Sequence, residues 1–299
     1  MRVGITGASG LLGTALAPAL EAQGHEVWRF VRGTGQAPSE RTISWDPAGN
    51  QLDPAAVAPL DAVVHLAGEN LAEGRWTDER KHRILASRVD GTSLVARTIA
   101  SLDRKPVLLS ASGVGYYGDA GIEPLDETAP RGQGFLAEVC EAWEAATEPA
   151  ADAGARVVVL RMGVVLSKAG GALAKMLLPF KLGLGGRIGT GHQWMSWVVL
   201  DDVLRVMSFA LEHERLAGAV NVAAPNPVQS SELTTTLARV LSRPSIMPLP
   251  AFAVRAMFGE MGEQVLLAGQ RVLPTRLERE GFRFDYHELE PALRHVLGR

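Results

Sequence analysis

Met1-Arg2-Val3-Gly4-Ile5-Thr6-Gly7-Ala8-Ser9-Gly10-Leu11-Leu12-Gly13 opens the chain, and its reading decides the fold. A short apolar run breaks into TGxxGxxG, and an Ala-rich apolar helix follows at once. In such a strand–turn–helix unit, Gly7 permits the tight turn and Gly10 lets a pyrophosphate approach the backbone. Gly13 lets the helix pack close to the sheet. The helix start offers free N–H groups and a partial positive charge to phosphates. Gly7, Ser9, Gly10, Leu11, Leu12 and Gly13 are therefore the expected dinucleotide cradle.

Outward from that turn, strands and helices alternate. Helix is expected over Leu11–Gln23, although Pro18 inside it costs on the order of 3 kcal/mol unless the helix adjusts. Strands are expected at Val27–Val31, Thr42–Trp45, Ala62–Ala67, Pro106–Ser112 and Arg156–Arg161, and helices at Asp78–Leu102 and Gly134–Ala153. This rhythm predicts an α/β fold with a doubly wound parallel Rossmann sheet. Beyond about Val165 the rhythm changes. Gly170–Gly191 reads as loop and helix over a pocket, Trp197–His213 resumes strand and helix, and a helix is expected at Phe252–Phe258. A final segment, Leu273–Tyr286, ends in a short helix. The division expected is a dinucleotide-binding domain over 1–165, with 196–225 returning to it, and a smaller α/β lid or substrate domain over 166–299.

Composition bounds the function. The chain has 299 residues, of which 46% are hydrophobic and 21% charged, as in ordinary globular proteins. A net charge of −3 gives no reason to expect nucleic acid or an anionic membrane as partner. The single cysteine, Cys140, allows no internal disulfide and fits a reducing, cytoplasmic compartment. No leader peptide and no membrane-spanning stretch are visible. The seven His are scattered, without HExxH or CxxC, so no metal is expected.

Cofactor type is read at the end of the second strand. An acid there grips the ribose hydroxyl of NAD, whereas an arginine accommodates a 2′-phosphate. No acid lies between Glu26 and Glu40, and Arg32 closes the strand. NADP(H) is the expected cofactor. Leu66, Ala67 and Gly68 close the next apolar strand along the adenine and ribose path. Ser112 closes the strand beside the nicotinamide position, and Gly113–Gly118 (GVGYYG) follows. Tyr116 and Tyr117 are candidate proton donors, and adjacent tyrosines there also serve simply in packing. His192, in a Gly-rich loop, is a candidate acid or base because imidazole titrates near neutrality.

The chain resembles the extended short-chain dehydrogenase/reductase superfamily of the nucleotide-sugar epimerase and dehydratase type. TGASGLLG, HLAG, LRMGVVL, WVVLDDV and NVAAPNPVQSSEL occur in that order. It is more closely similar to an atypical epimerase-like subgroup with a C-terminal domain of unassigned function. That likeness rests on GENLAEGRWTDERKHRILASRVDGT (Gly68–Thr92), SASGVGYYG, GFLAEVCEAWE, LPFKLGLGGRIGTGHQWMSWV and LPTRLEREGFRF. The resemblance implies a Rossmann core, NADP(H) binding and an oxidoreductase- or epimerase-like activity. It implies that Arg88 approaches the cofactor and that Arg75 or Trp76 faces the substrate cleft.

One departure stands against that pattern. The superfamily's catalytic pair is YxxxK on the helix after the fifth strand. Here Tyr116, Tyr117 and Tyr286 all lack a lysine four residues on. Phe135 and Leu136 stand where polar machinery is expected, and Leu136 is assigned to the cofactor-facing surface. Glu138 remains as an acid on that helix. The expected function is an NADP(H)-dependent oxidoreductase or epimerase-like enzyme with an altered catalytic set of Ser112, Tyr116 and His192. Its substrate would be a small sugar-like or carbonyl compound. The expected partners are a small-molecule substrate and, in a homodimer, a second copy of the chain. The rival reading is a non-catalytic NADP(H)-binding redox sensor.

Overall fold

A computed structural model of the chain describes residues 1–33 and 40–299. Strand β1 (Arg2–Thr6) lies at the centre of an eight-stranded sheet. The chain first moves outward to one side through β2 (Glu26–Arg32), β3 (Thr42–Asp46) and β4 (Gln51–Leu52). It then returns to the other side of β1 with β5 (Ala62–His65) and β6 (Val107–Gly113). The two-residue β7 (Pro124–Leu125) lies outside the sheet, and β8 (Val157–Met162) comes next. The spatial order is β12-β8-β6-β5-β1-β2-β3-β4, with β12 formed by Gly218–Val222. All pairings are parallel except β3 with β4. Val3, Ile5, Val63, Val64, Leu108, Leu109, Val158 and Leu160 are fully buried, as strands covered on both faces require. The direction of winding reverses between β1 and β5, where such sheets open a crevice at the strands' carboxyl ends.

Helices cover both faces. α1 (Leu11–Ala22) and α7 (Leu200–Glu212) bury Leu16, Leu20, Val203, Val206 and Met207 on one side. On the other lie α2 (Pro54–Val57), α3 (Asp78–Ser101) and α5 (Glu148–Asp152), which bury Val57, Leu94, Val95, Ile99 and Ala150. α1 runs unbroken through Pro18. Thr14, whose carbonyl loses its helical partner to that proline, is exposed to water. The single helix expected over Gly134–Ala153 is two. α4 (Phe135–Ala145) ends where Thr147 Oγ1 folds back on the Glu144 carbonyl at 2.7 Å. α5 then restarts with Pro149 in its first turn, where a missing N–H costs nothing.

The rest of the chain builds a third apolar cluster around Leu173, Phe180, Trp197, Leu237 and Leu293. Its elements are β9 (Val164–Leu166) paired with β11 (Trp197–Val199), β10 (Trp194–Met195) paired with β13 (Val228–Gln229), and helices α6 (Gly171–Lys181) and α8 (Ser230–Leu241). The tail is mostly helical: α9 (Ala251–Phe258), α10 (Glu260–Gly262), a π-turn over Glu263–Leu267, α11 (Thr275–Arg279) and α12 (Leu289–Leu297). Its one strand, β14 (Arg271–Val272), pairs with β7. Within 196–225, β12 lies in the main sheet beside β8 and α7 packs over it. Among the described residues, no helix is long and apolar enough to cross a membrane.

Candidate active site

The first turn is built for an anion. Gly7 has φ +66°, and a Cβ there would meet the Leu66 carbonyl and the Ala67 nitrogen at 2.9 Å. At Gly13 a Cβ would lie 2.3 Å from the Gly7 oxygen, so α1 touches the loop. Gly10 differs: a Cβ there meets only the Gly7 oxygen, at 3.3 Å, and otherwise enters open space. Gly10 is the N-cap of α1, no side chain caps that end, and no acid lies in the first turn. The first amides of α1, on Leu11 and Leu12, are thus left for a ligand. The Leu11 side chain packs toward Gly170 and Leu12 against the core beneath α1.

Beneath this loop the ends of β1 and β5 are locked together. Thr6 Oγ1 accepts the Leu66 and Ala67 N–H groups at 3.0 and 3.2 Å, so its own proton goes to His65 Nδ1, 2.9 Å away. This network assigns the His65 proton to Nε2, which is buried without a partner. Burial pushes the His65 pKa down to about 4, so the ring is neutral at physiological pH. His65 is a structural peg, not an acid or base.

A cavity of about 570 Å³ runs from Gly7 and Ser9 past Ala67 and Trp45 to Arg32. No acid lines it. Arg32 is exposed at the strand end and has no ion-pair partner among the described residues. Gly68 is exposed, and behind it sits Arg88, which is only 7% exposed. Arg88 donates to the Ile84 and Glu69 carbonyls at 3.1 and 3.0 Å and stacks on Trp143.

The end of the crevice at β6 and β8 holds a buried polar chain. Ser112 Oγ donates to Glu144 at 2.7 Å, and Arg161 grips the same carboxylate through two bonds of 2.9 and 2.8 Å. Arg161 also donates to the Tyr117 hydroxyl at 3.0 Å, which donates to Asn221 at 2.7 Å. Burial opposes the charge on Arg161, but the bonds and charge of Glu144 outweigh it and hold the guanidinium pKa above its ordinary range. Burial raises the Tyr117 pKa. Sequence reasoning did not find this chain, whose bonded members lie up to 104 residues apart.

These contacts relocate several expected residues. Ser112 is 3% exposed and turned toward Glu144, so it is a structural donor instead of a group open to substrate. Tyr117 is likewise consumed, 2% exposed. Tyr116 is half-buried, and its ring lies 3.5 Å beneath the Arg161 guanidinium. Its hydroxyl has no hydrogen bond among the described residues. His192 is exposed, with Nδ1 3.4 Å from Gln229, and no bond joins it to the Tyr116 group. Gln193 turns inward in its place, donating to the Ile188 and Leu266 carbonyls. Arg75 bonds the Ala256 and Met257 carbonyls at the end of α9. Trp76 is buried edge-on against Phe135, its Nε1 on the Leu71 carbonyl. Neither faces a cleft. Glu138 is exposed to solvent.

On α4, Leu136 and Cys140 share the face toward the end of β6. A Cβ on Gly115 would meet Leu136 at 3.3 Å and the Cys140 sulfur at 3.8 Å. The spacing of four places them where a Tyr–Lys pair would stand. Burial pushes the Cys140 thiol up to about 11, even though Arg88 is close enough to pull it down. A cation from α3 therefore adjoins the position that lacks a lysine. Gln264, from the π-turn, caps α4 by accepting the Leu136 N–H at 3.0 Å. No sequence signal pointed to it.

A glycine-rich turn at the winding reversal, an uncapped helix start and an arginine at the second strand's end define a dinucleotide-binding α/β protein. The model of the NAD dependent epimerase/dehydratase family matches residues 3–223, and that of a domain of unknown function (DUF1731) matches 249–296. The chain belongs to the NAD dependent epimerase/dehydratase family. It is 44% identical to epimerase family protein Mb2239 of Mycobacterium bovis over 99% of this chain and 98% of that one. The structure of human epimerase family protein SDR39U1 with NADPH superposes with a TM-score of 0.89 at 36% identity, covering 100% and 99% of the two chains. A nucleoside-diphosphate sugar epimerase from Corynebacterium glutamicum superposes at 0.83 with 35% identity, over 100% of this chain and 58% of that one.

Proposed function

We propose that the protein is an NADP(H)-dependent oxidoreductase or epimerase-like enzyme acting on a small carbonyl or sugar-like compound. The observation that carries this reading is the fit of the first crevice to the dinucleotide. Gly10 leaves open space above uncapped α1 amides, and Arg32, unpaired among the described residues, stands at the far end of a cavity lined by no described acid. The human relative's complex with NADPH supports it. The α1 amides and Gly10 would hold the pyrophosphate, Arg32 the 2′-phosphate, and Ala67–Gly68 the adenosine side. When bound, the cofactor supplies hydride transfer. Arg88 places positive charge beside the position that lacks a lysine, and Tyr116 is the free hydroxyl available to hold or move a proton. Arg161, fixed by Glu144, positions the Tyr116 ring.

Calorimetric titration of NADPH and NADH into the wild-type protein and Arg32→Ala tests the reading. A charge-assisted pair contributes about 1.5–3 kcal/mol. The variant is expected to weaken NADPH about ten-fold or more and to leave NADH nearly unchanged. Equal losses for both would remove Arg32 from the phosphate site. Leu136 and Cys140 favour a second reading, a non-catalytic NADP(H)-binding sensor. A broad carbonyl and sugar-nucleotide screen with no turnover, despite tight NADPH binding, would put that reading first.

A further inference from the structure

Beside the Tyr116 turn lies a second cavity, of about 130 Å³, bounded by β9, α6, β10 and the π-turn. It shares Ala268 and Gln270 with the polar pocket over Leu136. Its walls are Leu166, Leu173, Met176, Ile188, Met195 and Leu266, among others, and none of the described residues lining it is charged.

Three of the cations on neighbouring elements are turned to other uses. Lys175 donates to the Ala72 carbonyl, Arg271 stacks on Trp194 at 4.7 Å, and Arg243 donates to the Lys181 carbonyl. Arg187 is exposed. Binding a diphosphate in a chamber without charge would strand two anionic groups with no counter-ion, a cost that neither burial nor packing repays.

The polar atoms of the chamber are mostly satisfied by the protein itself. Gln193 donates to two carbonyls, Ser196 donates to the Gln270 carbonyl and accepts from Val272 N–H, and Gln270 donates to the Gly118 carbonyl. Two donors are left over: the Ser230 hydroxyl has no hydrogen bond among the described residues, and the Trp194 Nε1–H is buried and has no partner. A dry apolar cavity of roughly 150 Å³ accepts a benzene-sized molecule.

We infer that this chamber is the substrate-specificity pocket. It takes an uncharged carbonyl compound with an apolar group about the size of a phenyl ring, and not a nucleoside-diphosphate sugar. Trp194 supplies the hydrogen bond to the ligand's oxygen. This deepens the proposed function and rests on it for the role of the site, while the binding test below stands independently.

The test uses the full chain with [¹³C-methyl]methionine, with the Met176 and Met195 signals assigned through Met176→Leu and Met195→Leu. Acetophenone and UDP-glucose are titrated with and without NADP⁺, the oxidised form having no hydride to give to a ketone. Acetophenone is expected to shift both methyl signals saturably, and UDP-glucose to leave them in place. Ser230→Leu, which fills the chamber from its rim, should weaken acetophenone at least ten-fold. Trp194→Phe, which keeps a ring but removes the donor, should weaken it several-fold. Either variant suffices if the other does not fold. Unmoved methyl signals with acetophenone, or a saturable shift with UDP-glucose, would overturn the inference. Failure of NADP⁺ to bind would instead sink the proposed function, and the titration without dinucleotide would still decide the ligand class.

Discussion

Two glycines three residues apart, Gly10 and Gly13, are expected to fail in opposite ways when a side chain is added. At Gly10 the backbone is extended, φ −80° and ψ 175°, which valine adopts readily, and its Cβ would touch only the Gly7 oxygen at 3.3 Å. No side-chain cap is lost, but valine is a poorer N-cap than glycine, so Gly10→Val should cost about 1 kcal/mol of stability. Its branched side chain would, however, fill the space through which a pyrophosphate reaches the amides of α1. Each charge-assisted hydrogen bond to phosphate is worth about 1.5–3 kcal/mol. Losing two predicts NADPH binding weakened by about 10²–10⁴-fold. Gly13→Ala should do the reverse. Its Cβ would lie 2.3 Å from the Gly7 oxygen and 2.6 Å from the Ala8 Cα, both backbone atoms that cannot swing aside. The helix must move off the loop, at a cost of about 1–3 kcal/mol or more. NADPH fluorescence titration and urea unfolding on both variants separate the two effects. A Gly10→Val protein that binds NADPH like wild type would refute the placement of the dinucleotide, and an unchanged unfolding midpoint for Gly13→Ala would refute the loop–helix contact.

Three further outcomes follow from the same geometry. Once a turned-over substrate is known, Tyr116→Phe should cut the rate by about 10²–10⁴-fold with NADPH affinity intact, whereas His192→Ala, an exposed ring bonded to Gln229, should lose far less. Glu144→Gln should lower stability by about 3–5 kcal/mol by leaving Arg161 buried without a counter-charge, and Glu144→Leu with Arg161→Met should recover much of that; urea unfolding of both decides it. His65, with its pKa lowered from 6.5 to about 4, binds its proton later in the folded than in the unfolded state. Its contribution is therefore complete above pH 6.5 and is lost as pH falls toward 4, by up to about 3 kcal/mol. His65→Gln should flatten the pH dependence of unfolding across that window, and an unaltered slope would show that the ring is not held neutral.

Six of the eight strands of the main sheet were legible, the central ones because burial on both faces writes largely apolar runs, as in Ala62–His65 and Val157–Met162, whereas β4 and β12 were not read as strands. The cradle was legible because its chemistry is local: turn, amide and helix start lie within one stretch of chain. What the sequence hid is non-local. Ser112 meets Glu144 across 32 residues, Tyr117 meets Asn221 across 104, and Gln264 caps Leu136 across 128. None of these pairs leaves a period or spacing to read. The tail was expected to be α/β, yet its only strand is two residues long and borrows its partner from Pro124–Leu125. Its helices acquire their order by packing, with Leu289, Ala292 and Leu293 joining the cluster formed by α6 and α8.

The missing YxxxK pair shows what such hidden contacts change. In sequence, Phe135 and Leu136 mark a loss. In space, Leu136 and Cys140 occupy one face of α4, and that face is not electrostatically empty, because the Arg88 guanidinium comes in from α3 beside Cys140. A hydroxyl stands near the same strand end as well, on Tyr116, held by a guanidinium that Glu144 fixes with two bonds. On the proposed reading, the phenol and the cation that a Tyr–Lys pair would carry on one helical turn come from separate elements. Distribution has a physical consequence. A Tyr–Lys pair on one helix keeps its spacing whatever the helix does, whereas Tyr116, Arg161 and Arg88 keep theirs only while β6, β8 and α3 stay docked. The Glu144–Arg161 bond joins α4 to β8 beside the Tyr116 ring, so its loss is expected to cost both stability and the placement of that ring.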